Sequence, residues 1–220
     1  MATTKAQRWG ILTIMIVMVV GTLGSFAVMG LDIDNAANDA ARQQDAMNKY
    51  TAEYRAYQAK VDAQGVELSV KYYDTFKEYS SQVAEFDRDG VKEIKTEDLK
   101  VGDGVEITGT TKFAAYYIGW NPLGKVFDQS IDGDKLKSPL PISTGLDAAG
   151  LIEGWKEGMK GMRIGGVREI TIPSDKAYGE SGQGDDIPAN TPLKFVVMAI
   201  AAPTEIPQPE VPAELLQSAY

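Results

Sequence analysis

The chain has 220 residues, 44% hydrophobic, 24% charged and 9% aromatic, the make-up of one folded domain with appendages and not of a disordered or collagen-like chain. It contains neither His nor Cys, which excludes Ser-His-Asp and Cys-His nucleophilic machinery, structural zinc, haem ligation by those side chains and cysteine-held clusters. A net charge of −9 and a pI near 4.6 leave no basic footprint for phosphates, so nucleic acid is not an expected partner.

In chain order, residues 1–9 are a short N-terminus carrying Lys5 and Arg8. Residues 10–31 carry no charge, and 22 residues at helical rise span about 33 Å, the thickness of a bilayer core. This predicts a transmembrane helix. A cleaved signal peptide has a shorter apolar region, although Ala36-Ala37 leaves cleavage open. Asp32, Asp34 and Asp39 follow the span, so the positive-inside rule puts the N-terminus in the cytoplasm and residues 32–220 outside it. The expected localisation is that of a single-pass membrane protein.

Residues 32–87 read as a helical stalk and linker. From 34 to 64 there is no Pro or Gly, and Met47, Tyr50, Tyr54, Tyr57 and Val61 recur at helical spacing. That stripe either packs on the chain's own domain or offers a surface for weak self-association. Gly65 is expected to end the helix. Tyr72, Phe76, Tyr79, Val83 and Phe86 then suit a second short helix or an irregular wrap, and Asp87-Arg88-Asp89-Gly90 a turn.

Beyond residue 88 the sequence changes to short β-prone runs broken by glycine. Strands are predicted at Val91–Thr96, Val105–Thr110, Phe113–Trp120, Val126–Gln129, Leu140–Ser143, Val167–Ile172 and Leu193–Ala201. Leu151, Ile152, Trp155 and Met159 fall on one face of a single helix bounded by Gly150 and Gly161. The fold class is therefore α+β: an antiparallel sheet of five to six strands wrapped on one short helix, with an apolar cleft between them. Residues 202–220, with prolines at 203, 207, 209 and 212, read as an extended, flexible tail.

Aromatics accumulate in this segment beyond what strand alternation needs, and their order is informative. Tyr117-x-Gly119, Gly124-x-x-Phe127-Asp128-x-Ser130, Leu151-Ile152-x-Gly154-Trp155-x-x-Gly158-Met159, Ile172-Pro173, Ala177-Tyr178-Gly179, Ile187-Pro188 and Leu193-x-Phe195 follow in sequence. Over residues 88–201 this string resembles the FKBP-type peptidyl-prolyl isomerases. The resemblance implies a pocket lined by Tyr117, Phe127, Leu140, Leu151, Trp155, Ile187 and Phe195, with Trp155 as its floor. It further implies catalytic parts for Tyr178 through its hydroxyl, Ile152 through its backbone amide, and Asp128 beside the twisting amide. By strand alternation Tyr116 should face away from Tyr117.

The chain departs from the family at the rim. Leu140 stands where an aromatic wall residue is common, Gln183 where the loop often has His, and Asp186 where an apolar residue often precedes Ile-Pro; Gly145–Gly150 is longer than in the smallest members. The implied activity is rotation of X-Pro bonds in exported or membrane-adjacent clients, with no metal and no cofactor. The alternative is a proline-segment binding or chaperone module with weak or no turnover. The loop carboxylates Asp132, Asp134, Asp185 and Asp186 read as solvated turns and not as a metal or glycosidase pair.

Overall fold

The computed structural model describes residues 33–216. The predicted membrane span at 10–31 lies outside the described residues, and among those described no helix is long and apolar enough to cross a membrane. The chain divides into two compact units, residues 60–206, and residues 1–59 with 207–220.

The larger unit is built on a six-stranded antiparallel sheet. In chain order its strands are β1 (Lys95–Lys100), β2 (Phe113–Trp120), β3 (Val126–Gln129), β6 (Leu140–Ile142), β7 (Val167–Ile172) and β8 (Leu193–Ala201). A separate hairpin, β4 (Ile131–Asp132) and β5 (Lys135–Leu136), turns at Gly133, whose φ is 63°. The sheet order is β1-β7-β8-β2-β3, and β6 shares with β3 the free edge of β2. β2 pairs with β8 along its whole length, from Phe113 opposite Ala201 to Trp120 opposite Lys194. It is buried on both faces, which is why its sequence is a continuous apolar run and not an alternation.

Each face of the sheet has its own cover. On one side α2 (Glu153–Met159) buries Trp155 and Met159. Gly154 and Gly158 let the helix backbone approach β7, since a Cβ at Gly154 would lie 2.2 Å from Ile172 Cγ2 and one at Gly158 2.6 Å from Ile170 Cγ2. On the other side the C-terminal part of α1 (Ile33–Lys77) lays Leu68, Tyr72, Tyr73 and Phe76 against a second core of Tyr116, Ile118, Trp120, Leu136, Val167, Val196, Met198 and Ile200. Ser69 is buried in this contact and accepts a hydrogen bond from the Leu136 amide at 2.8 Å.

Several expectations are corrected here. Helix α1 runs through Gly65 to Lys77 instead of breaking, because one helical Gly costs only about 1 kcal/mol and the apolar face beyond it is anchored on the sheet. A 3-10 turn at Glu78–Gln82 follows, and residues 83–87 have no regular structure. The first strand is Lys95–Lys100, not Val91–Thr96; its side chains are almost all exposed, so pairing with β7 defines it and hydropathy does not. Val105–Thr110 makes only an isolated bridge, Glu106 to Arg163, because the threonines after it close a local turn in which Thr108 N donates to Thr111 Oγ1 at 3.0 Å. β6 ends at Ile142, one residue before Ser143.

In the smaller unit, Tyr50, Tyr54 and Tyr57 stack along the helix with ring centroids 6.1 and 5.8 Å apart. The tail is irregular as far as Pro212 and then turns helical at Ala213–Leu216 (α3), so it is not extended throughout.

Candidate active site

The cleft forms where α2 packs on one face of the sheet. β2 delivers Tyr117 from its centre, and the adjoining β3 delivers Phe127 and Asp128. β6 supplies Leu140 opposite Ala115, the segment entering α2 supplies Leu151 and Ile152, and β8 supplies Phe195. Tyr178 and Ile187 come from the irregular chain between β7 and β8.

All these apolar residues belong to one hydrophobic cluster. Trp155, Ile187 and Phe195 are buried in it, while Tyr117, Phe127, Leu140, Leu151, Ile152 and Tyr178 are half-buried around its open side. Trp155 is the hub: its ring meets Tyr117 edge-on at 5.3 Å and 83°, and Phe195 at 5.4 Å and 90°. Phe195 in turn meets Phe127 at 5.5 Å and 82°. Edge-to-face contacts of this kind fix ring orientation as well as burying area. The opposite-facing prediction for Tyr116 holds, since that ring lies in the second core 6.1 Å from Phe76.

The polar groups are few and placed on the rim. Tyr117 Oη donates to Asp128 Oδ2 at 2.5 Å, and Asp128 Oδ1 accepts from the Gln129 amide at 2.8 Å, so the carboxylate is held at both oxygens. Ser130 Oγ accepts from the Tyr117 amide at 2.9 Å and keeps β2 and β3 in register beside it. Ile152 sits in extended conformation (φ −60°, ψ 147°) immediately before α2; its carbonyl accepts from Trp155 and Lys156. Its own amide donates to no acceptor among the described residues.

The Tyr178 hydroxyl likewise has no hydrogen-bond partner among the described residues. Burial, and secondarily the negative charge of Asp128, pushes its phenol above the ordinary 10.0, so it stays a proton donor throughout the neutral range. Among the described residues no group of three or more acidic side chains could hold a metal ion. The arrangement is an aromatic pocket with two uncommitted donors, Ile152 N–H and Tyr178 O–H, and one fixed carboxylate.

Sequence reasoning did not find the supports around the loop that carries Ile187. Lys125 forms an ion pair with Asp186, Asn121 Nδ2 donates to the Asp186 carbonyl at 3.0 Å, and Arg88 Nη2 donates to the carbonyls of Ala189 at 3.2 Å and Asn190 at 2.9 Å. Asp186, unusual as the residue before Ile-Pro, faces these partners instead of the cleft. No local pattern marks such contacts, because they join segments 61 to 102 residues apart.

Residues 95–200 match the family model described as FKBP-type peptidyl-prolyl cis-trans isomerase. The chain is 41% identical over 101 residues to an FK506-binding protein of Neisseria meningitidis serogroup B, covering 46% of this chain and 88% of that one. The chain belongs to the FKBP-type peptidyl-prolyl cis-trans isomerases. The isomerase is also 38% identical over 105 residues to FK506-binding protein 4 of Rhizopus delemar, where the match covers 48% of this chain but only 26% of the relative. A crystal structure of a peptidyl-prolyl cis-trans isomerase from Pseudomonas syringae pv. tomato aligns with 32% identity and a TM-score of 0.42, over 58% of this chain and 90% of that one.

Proposed function

We propose that the isomerase rotates X-Pro bonds in exported or membrane-adjacent polypeptides, tethered through residues 10–31 with its catalytic domain outside the cytoplasm. The observation that carries the reading of the cleft is the union of the Trp155–Tyr117–Phe195–Phe127 aromatic set with two donors, Ile152 N–H and Tyr178 O–H, that have no partner among the described residues. The charge-free run at 10–31, flanked by Lys5 and Arg8 before it and acidic residues after it, supports the tether and its direction.

Rotation about a peptide bond costs about 18–20 kcal/mol because the planar amide loses its resonance. No bond is broken, so neither nucleophile nor metal is required. The planar X-Pro amide is the more charge-separated form, and an apolar pocket floored by Trp155 takes it out of water, where planarity is worth less. In the twisted form the nitrogen becomes pyramidal and the carbonyl swings out of the ring plane. Ile152 N–H and Tyr178 O–H are fixed on the protein and hold substrate carbonyls in that geometry better than in the planar one, which is catalysis by differential binding. Asp128, its oxygens pinned by Tyr117 and Gln129, presents an oriented negative field to the same amide. A difference of about 5–8 kcal/mol between twisted and planar forms corresponds to about four to six powers of ten in rate.

The test is exchange spectroscopy on a Leu-Pro peptide with the full chain, beside Tyr178→Phe after its fold is confirmed. Acceleration by the parent that falls severalfold in the folded variant is the expected result. Equal acceleration by both would remove the hydroxyl from the mechanism, and none from a folded parent would leave a proline-binding module. For topology, protease added outside intact cells should cut within 32–220; protection there until permeabilisation would reverse the assignment.

A further inference from the structure

Residues 84–88 precede the family match and run without helix or strand from the β2–β3 turn to the loop between Tyr178 and Thr191. At one end the Ala84 carbonyl accepts from Trp120 Nε1 at 3.0 Å, and the Phe86 amide donates to the Pro122 carbonyl at 3.1 Å. At the other end Arg88 grips two consecutive loop carbonyls, those of Ala189 and Asn190. The loop itself is closed by two backbone bonds, Asn190 N–H to the Gly179 carbonyl at 2.8 Å and Gln183 N–H to the Ile187 carbonyl at 2.7 Å. Its inner side places Ile187, 3% exposed, in the cleft. Asp186 and Pro188 line a cavity of about 650 Å³ together with Phe86 and Arg88. The loop is therefore suspended between an apolar anchor within the cleft and a polar strap outside it.

Apart from Ile187, residues 183–190 put no side chain into either hydrophobic core. Segments with so few apolar contacts lie at the low end of local stability, where individual hydrogen bonds decide how often the segment opens. We propose that Arg88 is a positioning residue for the cleft: by holding the Ala189 and Asn190 carbonyls, the strap at 84–88 fixes how deeply Ile187 sits and so sets KM for prolyl peptides. This rests on the reading of the cleft given above. The loop must be ordered in the bound state whether or not the strap is present; without it, binding pays the ordering cost, which lowers affinity and leaves the bound chemistry alone.

The experiment compares the full chain with Arg88→Ala and Arg88→Lys, following kcat and KM on a Leu-Pro peptide, amide exchange at Gln183 and Asn190, and thermal unfolding. Arg88→Ala should raise KM about three- to tenfold, the worth of one or two such bonds, with kcat within about twofold. Both loop amides should exchange faster, and Arg88→Lys, which keeps the charge and a donor, should recover part of both effects. Unchanged KM and unchanged exchange would overturn the proposal. So would a fall in kcat that tracks a lower melting temperature, which would make Arg88 a stabiliser of the whole domain. A parent without turnover would instead count against the isomerase reading, and the exchange at Gln183 and Asn190 would still report whether the strap holds the loop.

Discussion

The Tyr117 hydroxyl on β2 reaches across to Asp128 on β3 and donates to Oδ2 at 2.5 Å, while the same Tyr117 ring stands edge-on to Trp155. One side chain thus shapes the aromatic wall and orients the carboxylate. Tyr117→Phe separates the two roles, because the ring contact survives and the hydrogen bond does not. The variant should lose about 1–2 kcal/mol of stability, at the low end for a bond to a charged group because the pair is only part-buried. Catalytic efficiency should fall further than Tm implies, since among the described residues Asp128 then keeps the Gln129 amide as its one hydrogen-bond donor. Calorimetry and exchange kinetics on the same sample check this; a loss confined to Tm would leave Asp128 without a catalytic part.

The pH profile follows from two phenols, the half-buried Tyr178 and the buried Tyr116. Tyr178 is raised above 10.0 by burial and by Asp128, and Tyr116 is raised further, by burial and then by Tyr72. A raised folded-state value means that the folded protein retains the proton longer than the unfolded chain. The resulting stability is complete below pH 10 and is lost as pH rises from there through the folded-state values. Turnover should accordingly be level between about pH 6 and 9, where the Tyr178 hydroxyl keeps its proton, and unfolding free energy should drop above pH 10. A bell-shaped rate profile centred near pH 7 would count against a mechanism without proton transfer.

Tyr116 offers a related test in the opposite direction. It is fully buried and its hydroxyl has no hydrogen-bond partner among the described residues, so that hydroxyl is desolvated without return. Tyr116→Phe keeps the ring contacts with Tyr72 and Phe76 and should stabilise the domain by about 1–2 kcal/mol, while shrinking its alkaline loss of stability. Denaturant titrations of parent and variant at pH 7 and above pH 10 measure both effects, and a destabilised variant would show that the hydroxyl has a partner in solution.

Phe76 shows where the folded unit begins. It is wholly buried on α1, among Tyr116, Val196 and the other residues covering the sheet's second face. Phe76→Ala should cost about 3–5 kcal/mol, although the residue lies outside the family match. A fragment starting at residue 88 would bare the Tyr116–Trp120–Met198 face and should be less stable and more prone to associate than one covering 60–206. Equal melting temperatures for the two fragments would mean that α1 is dispensable to the sheet.

The same region marks the limit of what could be read from sequence. β2, β3, β7 and β8 were legible to the residue because apolar runs or strong alternation end at Gly, Pro or Asn signals. The cleft residues other than Leu140 each fall in a short motif, which is how the sequence groups them; the structure brings them into one cluster, with Leu140 beside them. β1 was misplaced because an exposed edge strand with Lys, Glu and Asp has no hydropathic period, and Gly65 misled because its local cost is small beside the packing of Tyr72 and Phe76. The supports from Arg88, Asn121 and Lys125 were invisible, since a hydrogen bond to a distant carbonyl leaves no mark on the residues that make it.

Gly119 is a tight point in the cleft wall. A Cβ there would lie 2.5 Å from Phe195 Cε1 and 2.8 Å from Phe127 Cζ, with both rings already locked edge-to-face. Gly119→Ala must push at least one ring aside, an overpacking cost of about 1–3 kcal/mol. Because Phe195 also meets Trp155 at 5.4 Å, the displacement passes to the pocket floor, and turnover should fall by more than the loss of stability accounts for. Adding Phe195→Leu removes the nearer ring and should make the pair of substitutions less destabilising than the sum of the singles. Strict additivity in denaturant titrations would show that the wall yields without disturbing either ring.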